Sequence, residues 1–198
     1  MSSGPFDLPV LKSCGELASA QVVLVQDSRE QLGLRLKFEH LPCVVRGLTT
    51  ADYSVLGFES EFACELKRID DIVACCMGEN RERFFRECHR LRGFRFARII
   101  ILSSRGEIEL QRYRSRIAPK AVLSTLTTVE VRWNIPVIFC ETEKEAALAI
   151  ERYAYFFVRE YIKRVNDLVR GSREAEQPPE PPEETFHNTN QNTHNKNV

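Results

Sequence analysis

The chain has 198 residues, 43% of them hydrophobic, with 28 basic and 28 acidic side chains that cancel to a formal charge of zero. That size suits one domain with a sizeable core plus a tail. The charge excludes a protein whose overall sign announces its partner, and no apolar run approaches the roughly 18–20 residues of a membrane span. The balance is uneven, because the stretch from Gly171 onward holds two of the bases and five of the acids, leaving a mild positive excess of three on the body. Seven cysteines, an odd number with no Cys-x-x-Cys pair, read as reduced, mostly buried thiols; a zinc site on Cys75, Cys76, Cys88 and His89 has no supporting spacing.

Residues 1–19 mix Pro, Gly and Ser and are expected to form an irregular arm with no secretory signal, so the protein is expected inside the cell, in the cytoplasm or nucleoid if its source is bacterial or phage. The β-branched run Gln21 to Gln26 predicts a buried strand ending at Asp27-Ser28-Arg29-Glu30. Leu32, Leu34, Leu36 and Phe38 alternate with polar residues around Gly33 and fix no element. Pro42 to Leu48, Tyr53 to Leu56 and Glu61 to Lys67 read as three strands of an antiparallel meander, turned by Thr49 to Asp52 and by Gly57.

In the third of these strands, alternation sends Glu65 and Lys67 to one face and Phe62, Cys64 and Leu66 to the other. A carboxylate beside an ammonium suits cation-assisted attack on a phosphodiester, the acid holding the ion and the lysine orienting water or steadying developing charge. A Glu-x-Lys pair on a strand is more often solvated decoration, so its surroundings must carry the argument. Asp70 and Asp71 open a helix, where exposed amides favour acids. A second helix over about Glu79 to Phe94 has Phe84, Cys88 and Leu91 as its buried stripe and Arg83, Arg86 and Arg90 on the other side. Ala97 to Leu102 is the clearest buried strand.

Arg112, Arg114, Arg116 and Lys120 then cluster around Tyr113 with no acid between Gln111 and Lys120, a grouping that suits backbone phosphates and equally a solvated loop. Pro119 begins a helix to about Arg132, Pro136 to Cys140 is a last strand, and Thr142 with Glu145 forms a capping box opening a helix that reaches about Val169. Its aromatics Tyr153, Tyr155, Phe156, Phe157 and Tyr161 suit either core packing or a partner helix. The Pro- and Glu-rich segment from 170 to 198 has a disordered composition. Alternating strands and helices make the class α/β. There is no Gly-rich phosphate loop and no Gly-x-Ser-x-Gly elbow.

Val23 to Glu30 resembles the first strand of the XPF-type nuclease family, Ala51-Asp52-Tyr53 resembles its Gly-Asp-Tyr, and Glu65 to Ile72 resembles its Glu-Arg-Lys-x-x-x-Asp-Leu signature. Arg83 falls where the family places an arginine. The resemblance spans about residues 21–165, and would make residues 20–169 a nuclease domain. It implies a restriction-endonuclease-like, PD-(D/E)xK fold, in which helices flank a mixed central sheet. It also implies an endonuclease that hydrolyses DNA at flaps, branches and single-strand/double-strand junctions in repair, recombination or phage DNA processing, using Mg²⁺ or Mn²⁺. Carried over by position, Asp52 and Glu65 would be the central metal ligands with Asp27 a further carboxylate, and Lys67 would orient or activate water. Arg29, Glu30, Asp71 and Arg83 would support the site, and Arg83, Arg86, Arg90, Arg112, Arg114, Arg116 and Lys120 would contact DNA.

Four departures stand out: Ala51 for glycine, Leu66 for the signature arginine, Glu87 where many members have glutamine, and Ser103-Ser104 where an acid would end the strand. None removes an implied ligand. The tandem helix-hairpin-helix module of eukaryotic and archaeal members is not matched, as in short bacterial and phage forms, so selectivity would rest on the domain, a homodimer or a protein partner. The family also contains non-catalytic scaffolds that pair with an active subunit, which is the alternative reading.

Overall fold

The computed structural model describes residues 21–29 and 35–176, with side chains up to Gly171. The expected N-terminal arm, Cys14, Glu30 and the end of the expected tail lie outside the described residues.

Strand β5 (Phe96–Leu102) and its neighbour β4 (Phe62–Arg68) form the middle of the molecule, because their apolar residues bury both faces. They run parallel in a seven-residue register that sets Glu65 against Ile99 and Lys67 against Ile101. On one side β6 (Val137–Cys140) pairs parallel with β5. On the other, β3 (Tyr53–Val55) pairs antiparallel with β4 and with β1 (Leu24–Asp27), and β2 (Cys43–Arg46) lies parallel to β1 at the edge. The order is therefore β2-β1-β3-β4-β5-β6, a mixed sheet.

The expected meander holds for β3 and β4 and fails for β2, since β1 lies between β2 and β3. Burial explains the difference. All four residues of β1 are buried, so β1 needs neighbours on both sides, whereas β2 is mostly exposed, with Val45 48% accessible, and suits an edge.

Two helical layers cover the sheet. Helices α1 (Ile69–Ala74), α2 (Gly78–Leu91), α3 (Arg105–Glu109) and α4 (Pro119–Trp133) pack on one face around Ile72, Phe84, Cys88, Leu91, Ile108 and Val129. Helix α5 (Glu143–Glu176) packs on the other through Ala146, Ile150, Ala154 and Val158, and continues past Val169. The buried stripe expected for α2 is the one observed. Pro119 stands at the start of α4, and Asn134, at φ 54°, closes it in the left-handed conformation asparagine tolerates.

The Thr142–Glu145 cap is present, the Thr142 hydroxyl accepting from the Glu145 amide at 3.1 Å. Of the α5 aromatics, Phe157 and Tyr161 meet Phe58, and Tyr153 and Phe157 meet Phe96, so these fill the core, whereas Phe156 is 52% exposed. The described cysteines are all free thiols; only Cys43 is fully exposed. No helix among the described residues is long and apolar enough to cross a membrane.

Candidate active site on three neighbouring strands

Alternation predicts that Glu65 and Lys67 share a face, and the packing bears this out. Phe62, Cys64 and Leu66 sit in the core under α5, while Ala63 sits in the core under α2 and α4, so Glu65 and Lys67 point toward the α1–α4 layer. Tyr53 and Leu24 belong to the α5 side, which places Asp52 and Asp27, one and three residues away, on the same side of the sheet as Glu65. The three acids thus come from the end of β1, the residue before β3 and the middle of β4, three strands that are neighbours in the sheet.

Backbone bonds tie the ends together: the Asp27 amide donates to the Asp52 carbonyl at 2.8 Å, and the Asp52 amide to the Cys64 carbonyl at 3.2 Å. The Asp52 carboxylate crosses to β4 and accepts from the Leu66 amide at 2.8 Å. Residue 66 therefore serves Asp52 through its main chain while its side chain packs in the opposite core. Ala51, which precedes Asp52, takes a φ of 67°, the left-handed region where the family's glycine is at ease.

Glu65 is 3% exposed. Burial, together with the charge of nearby Asp52 and of Glu87, pushes its carboxyl well above the usual range, and the Lys67 ammonium opposes this. Lys67 pairs with Glu65 and lies 3.4 Å from Glu87 on α2. Burial alone would lower its pKa, but the Glu65 and Glu87 charges win and raise it, so the side chain stays an ammonium at neutral pH.

Asp27 is engaged differently. Its Oδ1 accepts from the Arg29 amide at 3.0 Å, and its Oδ2 accepts from Arg29 Nε at 2.9 Å and from Nη2. Arg29 Nη2 also reaches the Leu48 carbonyl at 2.6 Å. Burial pushes the Asp27 carboxyl up, but these bonds from Arg29 prevail and hold it below the usual range. The nearby Asp52 and Glu65 charges add to the effect of Asp27 in raising the pKa of Arg29. Among the described residues no three His, Cys, Asp or Glu side chains form a ready metal cluster, the Cys75, Cys76, Cys88 and His89 set included.

The remaining expected residues divide. Arg83 is exposed on α2, one turn before Glu87 and on the same flank. Asp71 is exposed on α1, and its neighbour Asp70 meets Arg114 at 4.0 Å. Arg86 and Arg90 are exposed on α2, and Arg112, Arg114, Arg116 and Lys120 are exposed before and at the start of α4. Glu87, noted in the sequence only as a departure, is Lys67's second partner; its spacing of four from Arg83 was the available signal.

Known proteins share this arrangement of strands and helices. The model of the ERCC4 domain matches residues 24–153. The chain belongs to the ERCC4 domain family. No curated protein matches it. Two solved structures are similar to this ERCC4 domain at 19% identity and a TM-score of 0.53: XPF from Aeropyrum pernix, over 68% of this chain and 60% of that one, and the same protein in complex with DNA, over 70% and 66%. The chain thus spans under two thirds of those structures. The similarity establishes the restriction-endonuclease-like fold of this ERCC4 domain, with its mixed sheet between helical layers.

Proposed function

We propose that this protein is a metal-dependent endonuclease that hydrolyses DNA at flaps or junctions. The observation that carries the proposal is the convergence of Asp52, Glu65 and Lys67 on one sheet face, with Glu65 buried beside a like charge. Membership of the ERCC4 family and the DNA-bound state of the Aeropyrum relative support it.

The donor chemistry fits Mg²⁺ or Mn²⁺, which take hard oxygens and commonly only one or two protein carboxylates, with waters and substrate phosphate completing the shell. Asp52 and Glu65 repel each other, and a cation between them would relieve that strain. These two would hold the ion, which would supply Lewis-acid stabilisation of the phosphodiester under attack. Asp27, both of whose oxygens Arg29 engages, would instead anchor Arg29 beside the site. Lys67, an ammonium, would donate a hydrogen bond to orient the attacking water or a phosphate oxygen and would not act as a base. Arg83 and the cations of the 112–120 segment would steady the strand.

A radiolabelled 3′ flap, a four-way junction and plain duplex, each incubated with and without Mg²⁺, test this. Nicking of the branched substrates that requires the ion and vanishes in Lys67→Ala is expected; equal nicking by Lys67→Ala would reject the role given to Lys67. A scaffold that pairs with an active subunit is the second reading, favoured by the Arg29 clamp on Asp27. It gains support if titrated Mn²⁺ gives no binding heat and no substrate is cut.

A further inference from the structure

Helices α2 and α4 leave a groove between them of about 420 Å³, lined by Glu82, Phe85, Arg86, His89, Arg90 and Arg132. Three guanidiniums against one carboxylate make it cationic. None of the three arginines has a carboxylate within 4.0 Å among the described residues, unlike Arg29, Arg68, Arg95, Arg105, Arg114 and Arg170. Arg132 is also held in place: its guanidinium lies 5.5 Å from the Phe85 ring and 5.2 Å from the Trp133 ring, and those rings stack obliquely at 4.9 Å. A planar fork fixed on aromatic faces has lost its side-chain entropy before any ligand arrives.

The groove also has a fixed relation to the acids. Glu87, 3.4 Å from Lys67, follows Arg86 directly and precedes Arg90 by three residues, so groove and site occupy adjoining flanks of one helix. A helix with its side chains is about 10–12 Å across, so groove and site lie within a few phosphates of each other along one strand.

We infer that the α2–α4 groove, through Arg86, Arg90 and Arg132, holds the duplex DNA backbone within a few phosphates of the bond presented to Glu65 and Lys67. Arg132 is the residue this adds; nothing in the sequence singled it out, since it sits alone near the end of α4 and only the packing against α2 brings it to Arg86 and Arg90. Guanidinium forks match the paired oxygens of a phosphodiester. Unpaired forks aligned next to an acid-and-lysine site favour a continuous phosphate strand over an acidic peptide, because a strand presents evenly spaced anions to the groove and a phosphodiester to the cation that Asp52 and Glu65 would hold, whereas a peptide offers that site no phosphodiester.

The inference rests on the endonuclease reading for its choice of ligand, and binding measured without metal separates the two. A fluorescent flap duplex is titrated with the full chain in EDTA across a range of salt, for the unaltered protein, Arg132→Ala, the pair Arg86→Gln with Arg90→Gln, and Arg152→Ala on α5 as a control. Each phosphate that a variant leaves unneutralised should flatten the slope of log affinity against log salt by about 0.9, so the pair should lose about 1.8 and Arg132→Ala about 0.9, with Arg152→Ala unchanged. The exposed pair does not touch the aromatic rings, so it reports on the groove even if Arg132→Ala folds poorly. Unchanged slopes in the pair overturn the inference, as does an equal loss in Arg152→Ala. If slopes stay intact while Mg²⁺-dependent nicking proceeds, the groove fails and the endonuclease stands. If slopes flatten and nothing is ever cut, the groove stands and the endonuclease fails.

Discussion

Asp52 is the residue where structure and proposed chemistry can be pulled apart. Its carboxylate does two things: it accepts from the Leu66 amide at 2.8 Å, and it sets a negative charge near buried Glu65. Asp52→Asn keeps an oxygen that can accept from that amide and removes the charge. A hydrogen bond to a charged group contributes about 1.5–3 kcal/mol and a neutral one about 0.5–1.5, so the bond weakens by roughly 1–1.5 kcal/mol. Relief of the repulsion on Glu65 acts in the other direction, and net stability should stay within about 1 kcal/mol, a Tm shift of about 2–4 °C for a chain of this size.

Asp52→Ala strips the Leu66 amide of this acceptor, costing about 1–3 kcal/mol and lowering Tm by roughly 2–12 °C. Both variants should lose flap cleavage by about 10³-fold or more, because an ion held by one carboxylate forfeits several kcal/mol of barrier lowering at 1.4 kcal/mol per factor of ten. Calorimetric titration with Mn²⁺ should show the binding heat gone in Asp52→Asn while scanning calorimetry shows it folded. Asp52→Asn that melts normally and still cuts within tenfold of the unaltered chain would refute the assignment.

Three further predictions concern the frame around the acids. Ala51→Val puts a β-branched side chain at φ 67°, where left-handed backbone already costs about 1–2 kcal/mol, and should lower Tm clearly, whereas Ala51→Gly should be nearly neutral because relief of strain offsets the loss of a buried methyl; thermal melts of both decide. Glu151 on α5, 4% exposed, accepts from the His40 amide at 2.7 Å and the Leu41 amide at 3.0 Å, so Glu151→Ala should cost about 2–4 kcal/mol and Glu151→Gln about half that, read as urea midpoints. Glu65 holds its proton more tightly folded than unfolded, so its contribution to stability declines as pH rises above the ordinary carboxyl range; Glu65→Gln should therefore melt higher than the unaltered chain at pH 8, with the gap closing toward pH 4, and a gap that widens on acidification would contradict the burial argument.

What the sequence made legible follows the range over which each signal acts. Local chemistry placed the start of α4 at Pro119, the cap at Thr142, and the buried stripe of α2, because a proline, a hydroxyl three residues before a glutamate, and a period of 3.6 each act within a turn or two. Alternation placed Glu65 and Lys67 on one face, since that needs only a strand. Strand neighbours are a long-range matter. Nothing within Cys43 to Arg46 says that its partner is β1 and not β3; that depends on β1 being buried on both faces and taking neighbours at both edges. The same limit hid the pairing of Glu87 with Lys67 and the meeting of Arg132 with Arg86, both made by helices crossing the sheet.

The Arg29 clamp on Asp27 was hidden for another reason. β1 ends at Asp27 and the chain turns, so Arg29 folds back over the carboxylate it follows, a contact that depends on where the strand stops.

Leu66 is the departure that most invites doubt about catalysis, and the structure limits that doubt. Its side chain packs under α5, across the sheet from Glu65, and its contribution to the acid cluster is the amide that Asp52 accepts from. Any residue except proline supplies that amide. Replacing the signature arginine therefore alters the core beneath the site without moving the hydrogen bond that holds Asp52 in place, and restoring it as Leu66→Arg would bury a guanidinium among Phe62, Cys64 and Ile100. That substitution should cost several kcal/mol of stability in this core and leave the Asp52–Leu66 contact intact.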